Sequence, residues 1–139
     1  MAVQFCPGPY CMQKKIGEMG EKIAQNYLKK KGYQILETNF CFKLANGLQE
    51  GEIDIVAKKQ NIIFFVEVKA LQQTQNRVFS PENKVNSVKI RRILRTAEYW
   101  LIKNKIPLDS KWQLDIVAIT IEPHAKTAKV AHLENIANC

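Results

Sequence analysis

An α/β or α+β domain, with a mixed sheet flanked by helices, is the fold class this sequence predicts. Three observations predict it. The periodic segments run helix, several antiparallel strands, helix, strand, which is not the alternation of a Rossmann-type sheet. The 139 residues suit one hydrophobic core and are too few for two. Hydrophobic residues make up 46% and charged residues 24%, close to globular averages.

Residues 1–13 hold Pro7, Gly8 and Pro9 and show no period, so they read as a flexible N-terminal arm before a single domain over residues 14–139. Over residues 14–31, Ile16, Met19, Ile23, Ala24, Tyr27 and Leu28 form one helical stripe that Gly32 stops. Residues 33–36 and 39–44 are short β-prone runs, and Asn46-Gly47 signals a two-residue hairpin turn. Residues 52–57 and 62–68 form a second hairpin around the polar stretch 58–61. Residues 70–82, with three Gln, Asn76, Ser80 and Pro81, read as a mobile loop. A second helix over about residues 83–105 ends before Pro107, and it carries Val85, Val88, Leu94, Ala97, Trp100 and Leu101 as its apolar positions. Tyr99 and Trp100 are read as core or interface anchors in preference to base-stacking platforms. Residues 114–121 and 128–133 make a last hairpin.

No apolar run approaches the length that spans a bilayer, and the first thirty residues lack the pattern of a secretory signal, so a cytoplasmic protein without membrane contact is expected. Cysteines 6, 11, 41 and 139 lack paired zinc-site spacing and are expected as free thiols. There is no Ser-His-Asp, P-loop or G-x-G-x-x-G signature. His124 and His132 have no partner at metal spacing and read as surface or turn histidines, and Asp115 reads as a structural hydrogen-bonding residue. The formal net charge of +8 concentrates polyanions near the surface, and nucleic acid is the partner class it favours.

The chemistry concentrates in the second hairpin. With Gln60 and Asn61 in its turn, residues whose numbers sum to 121 face each other, and Asp54 meets Glu67. Two facing carboxylates destabilise a sheet unless a cation compensates them. Lys69 shares the face of Glu67, because side chains alternate along a strand. Mg²⁺ or Mn²⁺ suits such a patch, since hard cations take oxygen ligands and retain exchangeable waters. Asp54 and Glu67, with the Val68 carbonyl as a further donor, form the expected metal site, and Lys69 is placed to orient water or offset charge on a phosphate. The competing reading is a solvated strand face with ordinary ion pairs. Against it, the neighbouring run Ile62 to Val66 is apolar on both faces, and buried charges need a reason.

Gly51-Glu52-Ile53-Asp54 followed by Val66-Glu67-Val68-Lys69 resembles the D-x(n)-E-x-K core of PD-(D/E)XK nucleases. More closely, the chain resembles the YraN family of uncharacterised proteins over roughly residues 15–135. Gly20-Glu21, Ala24, Tyr27-Leu28, Gly32-Tyr33, Asn39, Lys89, Ala97 and Asp115-Ile116-Val117-Ala118 complete the match. The resemblance implies a restriction-endonuclease-like αβββαβ core, similar to archaeal Holliday-junction resolvases, with Asp54, Glu67, Lys69 and Glu21 as catalytic residues. Glu21 resembles the helix-one glutamate of that fold. Lys89 resembles a fourth active-site element and is carried here as a phosphate contact. Glu52 is assigned to the sheet face opposite Asp54, in a supporting role. The family usually has a basic residue two after the E-x-K lysine, where this chain has Leu71 after Ala70, and Arg77 is the nearest substitute.

Lys84, Lys89, Arg91, Arg92 and Arg95 give the second helix a basic side that can track phosphates without reading bases. Together these residues point to a metal-dependent endonuclease acting on DNA, with branched or junction DNA as the substrate the resemblance implies. Junction cutting favours a symmetric homodimer. The alternative is a non-catalytic nucleic-acid-binding or scaffolding protein on the same fold.

Overall fold

The computed structural model of the chain describes residues 9–47, 49–72, 86–122 and 126–137. Helix α1 (Pro9–Lys30) leads into strands β1 (Gln34–Lys43), β2 (Gln49–Lys59) and β3 (Ile62–Gln72). Helix α2 (Ser87–Lys103) then precedes β4 (Trp112–Glu122) and β5 (Thr127–Leu133). The sheet order is β1-β2-β3-β4-β5, antiparallel throughout except for the parallel pair β3/β4. Parallel neighbours need a crossover connection, and α2 lies in it. The mixed sheet flanked by helices is the predicted class, a restriction-endonuclease-like core with an added β5.

Each helix covers one face. Strand alternation sends Phe64 and Val66 to the cluster of Ala24 and Leu28 from α1, and Ile63 and Phe65 to the cluster of Ile93, Ala97, Trp100 and Leu101 from α2. β3 is therefore apolar on both sides, which is why residues 62–66 carry no polar alternation. Burial on this scale contributes roughly 25 cal/mol per Å² of apolar surface, and a charge placed in the strand is held there by the rest of the core.

The β2/β3 register has the predicted sum of 121, from Lys59↔Ile62 to Ile55↔Val66. Gln60 and Asn61 both take left-handed backbone, with φ of 50° and 63°, as a type I′ turn demands. β1 is one continuous strand where the sequence suggested two short runs, joined across a register shift between Ile35 and Glu37. Gly32, at φ 90°, ends α1 as expected, and the Tyr33 N–H reaches back to the Leu28 carbonyl.

Three boundaries move. α1 starts at Pro9, so residues 9–13 of the expected arm are helical; proline is well suited to a first helical turn, where its missing N–H has no partner to lose. β3 continues to Gln72 because β4 pairs with it that far, taking residues 70–72 from the expected loop. α2 begins after Asn86, whose side chain accepts the Lys89 N–H at 2.9 Å and caps the helix. The remainder of the arm, Cys6, and loop residue Arg77 with Lys84 lie outside the described residues. Cys41 is a free, exposed thiol on β1. Among the described residues, no helix is long and apolar enough to cross a membrane.

Candidate functional site

Asp54 sits where two strands part. The β2/β3 ladder runs as far as Ile55↔Val66, and just beyond it the Asp54 Oδ2 accepts the Val68 N–H at 2.8 Å. The carboxylate replaces the carbonyl that a continued ladder would have offered. In an extended strand the N–H and C=O of one residue point to the same edge, so the Val68 carbonyl opens into the same gap. Strict alternation breaks here: Ile53 joins the cluster under α2, while Ile55, two residues on, joins the cluster under α1. Asn39 lies across from this break, between the pairs Thr38↔Ile55 and Phe40↔Ile53, with φ of 54°. Asparagine tolerates that conformation better than most residues.

Glu67 is nearly buried, its side chain 8% exposed, and its Oε1 lies 2.6 Å from the Nζ of half-exposed Lys89 on α2. Asp54 and Glu67 line one cleft of about 710 Å³ with Gly51, Glu52, Asn86, Val88, Lys89, Arg92 and Ile93. The floor is acidic and the α2 wall is basic. Glu52, expected on the face opposite Asp54, lines this cleft beside it, next to the break in alternation.

Two glycines let the helices approach this closely. A methyl group built on Gly51 would overlap the Thr96 hydroxyl and crowd the Arg92 carbonyl. One built on Gly20 would overlap the Ala70 side chain, so only glycine lets α1 settle on β3 there. Glu21 follows directly and is brought toward the carboxylates.

Burial, reinforced by Glu67, pushes the Asp54 carboxyl up to about 7, although the Val68 N–H opposes the rise. Glu21 and Glu52 add smaller contributions in the same direction. Glu21 is itself raised by burial, with a hydrogen bond from the Asn39 side chain lowering it and Glu52, Glu18 and Glu67 raising it. Four carboxylates from α1, β2 and β3 thus share one electrostatic neighbourhood, and Asp54 is moved to titrate near neutrality.

Of the expected site residues, the structure brings Asp54, Glu67, Val68, Glu21, Lys89 and Arg92 together. Lys69 is half-buried on the strand position that shares the face of Glu67, but it is not among the residues lining the cleft. Arg91 and Arg95 are exposed on α2, away from the cleft lining.

A second constellation escaped the sequence reading. His132 is not a surface histidine. Its Nε2 lies 2.8 Å from Asp115 Oδ2 and its Nδ1 lies 3.2 Å from the Tyr27 hydroxyl. A carboxylate accepts, which places a ring proton on Nε2, and the Tyr27 hydroxyl, which can donate or accept, pairs with Nδ1. Asp115 is 0% exposed, and its Oδ1 also accepts Gln113 Nε2 and the Asn135 N–H, each at 2.9 Å. Asp115 is thus the structural hydrogen-bonding residue expected. Among the described residues, Asp115, His132 and Glu134 are the only His, Cys, Asp or Glu trio with ligand atoms within 4.8 Å of one another. Both ring nitrogens and both Asp115 oxygens are already engaged, so the cluster is a tie between α1, β4 and β5. No sequence spacing signals it, because its members are 105 and 17 residues apart.

The comparisons follow the same residues. The profile of the uncharacterised protein family UPF0102 matches residues 20–119, from Gly20 through the carboxylates to β4. A UPF0102 protein of Alkaliphilus oremlandii is 39% identical over 124 residues, covering 89% of this chain and 98% of that protein. One of Flavobacterium psychrophilum is 36% identical over 120 residues, covering 86% and 91%. One of Clostridium botulinum is 39% identical over 113 residues, covering 81% and 84%. With a family profile over most of its length and relatives matched nearly end to end, the chain belongs to the uncharacterised protein family UPF0102, the YraN family.

Proposed function

We propose that this protein is a metal-dependent nuclease that hydrolyses phosphodiesters of DNA in the cleft between β2, β3 and the start of α2. One observation carries the reading: a carboxyl whose ionisation is opposed by burial and by a second carboxylate is held in an open cleft with a basic wall. Structural economy would favour an apolar residue or an amide at position 54, and a carboxylate kept there at a cost in stability points to a cation.

The donor set fits a hard divalent ion. Asp54 keeps Oδ1 outside its hydrogen bond, Glu67 keeps Oε2 outside its ion pair, and the Val68 carbonyl faces the same gap. Mg²⁺ needs only one or two carboxylates beside waters and phosphate oxygens, so a tight trio is not required. Bound there, Mg²⁺ or Mn²⁺ would supply Lewis acidity toward a phosphoryl oxygen and lower the pKa of water. Asp54 would hold the ion as its carboxylate. Lys89 and Arg92 bind and orient the phosphate from the opposite wall, where their charge is most useful as negative charge develops. Lys69 offers an ammonium from the strand at the edge of the site, and Glu21 holds Asn39 beside the break in β2.

The experiment is a calorimetric titration of Mg²⁺ and Mn²⁺ into wild type and Asp54→Asn, with duplex and branched DNA cleavage read on a gel. Wild type binds the metal and cleaves; the variant does neither and still unfolds cooperatively. Equal cleavage by both overturns the reading. The second reading, nucleic-acid binding without turnover, is favoured by the lysine already seated on Glu67 and by Ala70-Leu71 in place of the family's basic residue. Salt-sensitive binding without cleavage under any metal would select it.

A further inference from the structure

α2 carries more than the cleft wall. Arg92 lines the cleft, Tyr99 lies two turns further on and returns to nearly the same side, and Lys103 follows one turn later. Trp100 is core, 3% exposed, but its neighbour Tyr99 is 40% exposed. The Tyr99 ring stands 4.2 Å from the half-buried ring of Phe42 on β1 and lies nearly parallel to Phe40, at 6.2 Å and 22°. The Nζ of Lys103 sits 5.3 Å over the Phe40 ring. An aromatic shelf flanked by cations therefore lies along the helix from the carboxylates, about 15 Å from Lys89 at the helical rise.

We infer that Tyr99 and Phe42 form a stacking platform for an unpaired nucleotide base, a few nucleotides from the phosphate held at Asp54 and Glu67. The inference deepens the nucleic-acid reading and rests on it. A base inside a duplex already has a neighbour on each face, so a protein ring can stack only on a base that is unpaired. Every base has a π face, so such a platform selects strand shape and not sequence. The preferred substrate is then single-stranded nucleic acid or a duplex with unpaired nucleotides beside the cut, as at a flap or open branch. Charge complementarity favours this occupant over an apolar protein surface: Arg92, on the cleft side, and Lys103, one turn past Tyr99, flank the shelf along α2.

The test is fluorescence anisotropy without divalent metal, comparing a labelled single-stranded oligonucleotide with one of equal length built from abasic units. Wild type binds the base-bearing strand roughly 5- to 100-fold more tightly, the worth of one stacked base. Tyr99→Leu loses that preference while binding the abasic strand as wild type does, and Tyr99→Phe keeps it. No preference in wild type, or a preference that survives in Tyr99→Leu, overturns the platform. So does a shift in oligomeric state of Tyr99→Leu with the preference intact, which would assign the shelf to a protein contact. The assay needs no turnover, so base preference in a protein that never cleaves would sustain the platform and reject the nuclease.

Discussion

The Nζ of Lys89 lies 2.6 Å from Glu67 Oε1, so a cation from α2 already occupies the carboxylate that the metal reading needs. The ammonium neutralises a nearly buried charge, and a divalent ion would compete for it and release Lys89 toward phosphate. Lys89→Met should therefore bind Mn²⁺ several-fold more tightly than wild type while binding DNA more weakly. Without metal it should lose about 1 kcal/mol of stability, a modest cost because the lysine is half exposed. Calorimetry and urea melts read both effects. Unchanged metal affinity would separate Glu67 from the metal site.

The raised Asp54 carboxyl makes stability depend on pH. Its ordinary value is 3.8, and in the fold burial and Glu67 carry it to about 7. Between those values the folded state holds a proton that the unfolded chain has lost, so this group's contribution falls as pH rises from about 4 to about 7. Above pH 7 the cost is complete, at most a few kcal/mol. Asp54→Asn can still accept the Val68 N–H and has no such cost. Its stability relative to wild type should be level at pH 4, rise through pH 7 and then plateau, as followed by thermal melts in chelator. A flat difference would show that Asp54 is not held protonated.

The Asp115 tie should govern stability and not chemistry. Asp115→Ala leaves the Asn135 N–H, Gln113 and His132 without their acceptor and should cost about 3–5 kcal/mol. Tyr27→Phe removes one longer bond and should cost about 1 kcal/mol. Metal affinity of the folded fraction should be unchanged in both, and a loss of it in Tyr27→Phe would connect this network to the site.

Gly20 couples packing to function. Gly20→Ala should cost about 1–3 kcal/mol by pushing α1 off Ala70. The double variant Gly20→Ala with Ala70→Gly should recover part of that loss, because the two positions share one space. Urea melts of the four proteins test it; strict additivity would mean that the close approach is not what the glycine serves.

From sequence alone came the class of the fold, the order of elements, and the Gln60-Asn61 turn with its sum-121 register, which runs to Ile55↔Val66 and stops one pair short of facing Asp54 with Glu67. These follow from periodicity and turn chemistry, which act over a few residues and are written in the local order of the chain. What sequence could not supply arises from contacts between distant segments. The partner of Glu67 is set by how closely α2 packs on β2, which Gly51 permits against Thr96 and Arg92. The raised Asp54 carboxyl depends on its burial in the assembled fold and on charge from Glu67 on β3 and Glu21 on α1. The burial of His132 between Asp115 and Tyr27, and the exposure of Tyr99 beside buried Trp100, depend on which face of each element the completed core leaves uncovered. Desolvation and long-range charge are properties of the assembled sheet and its two helices, so tertiary structure alone decides them.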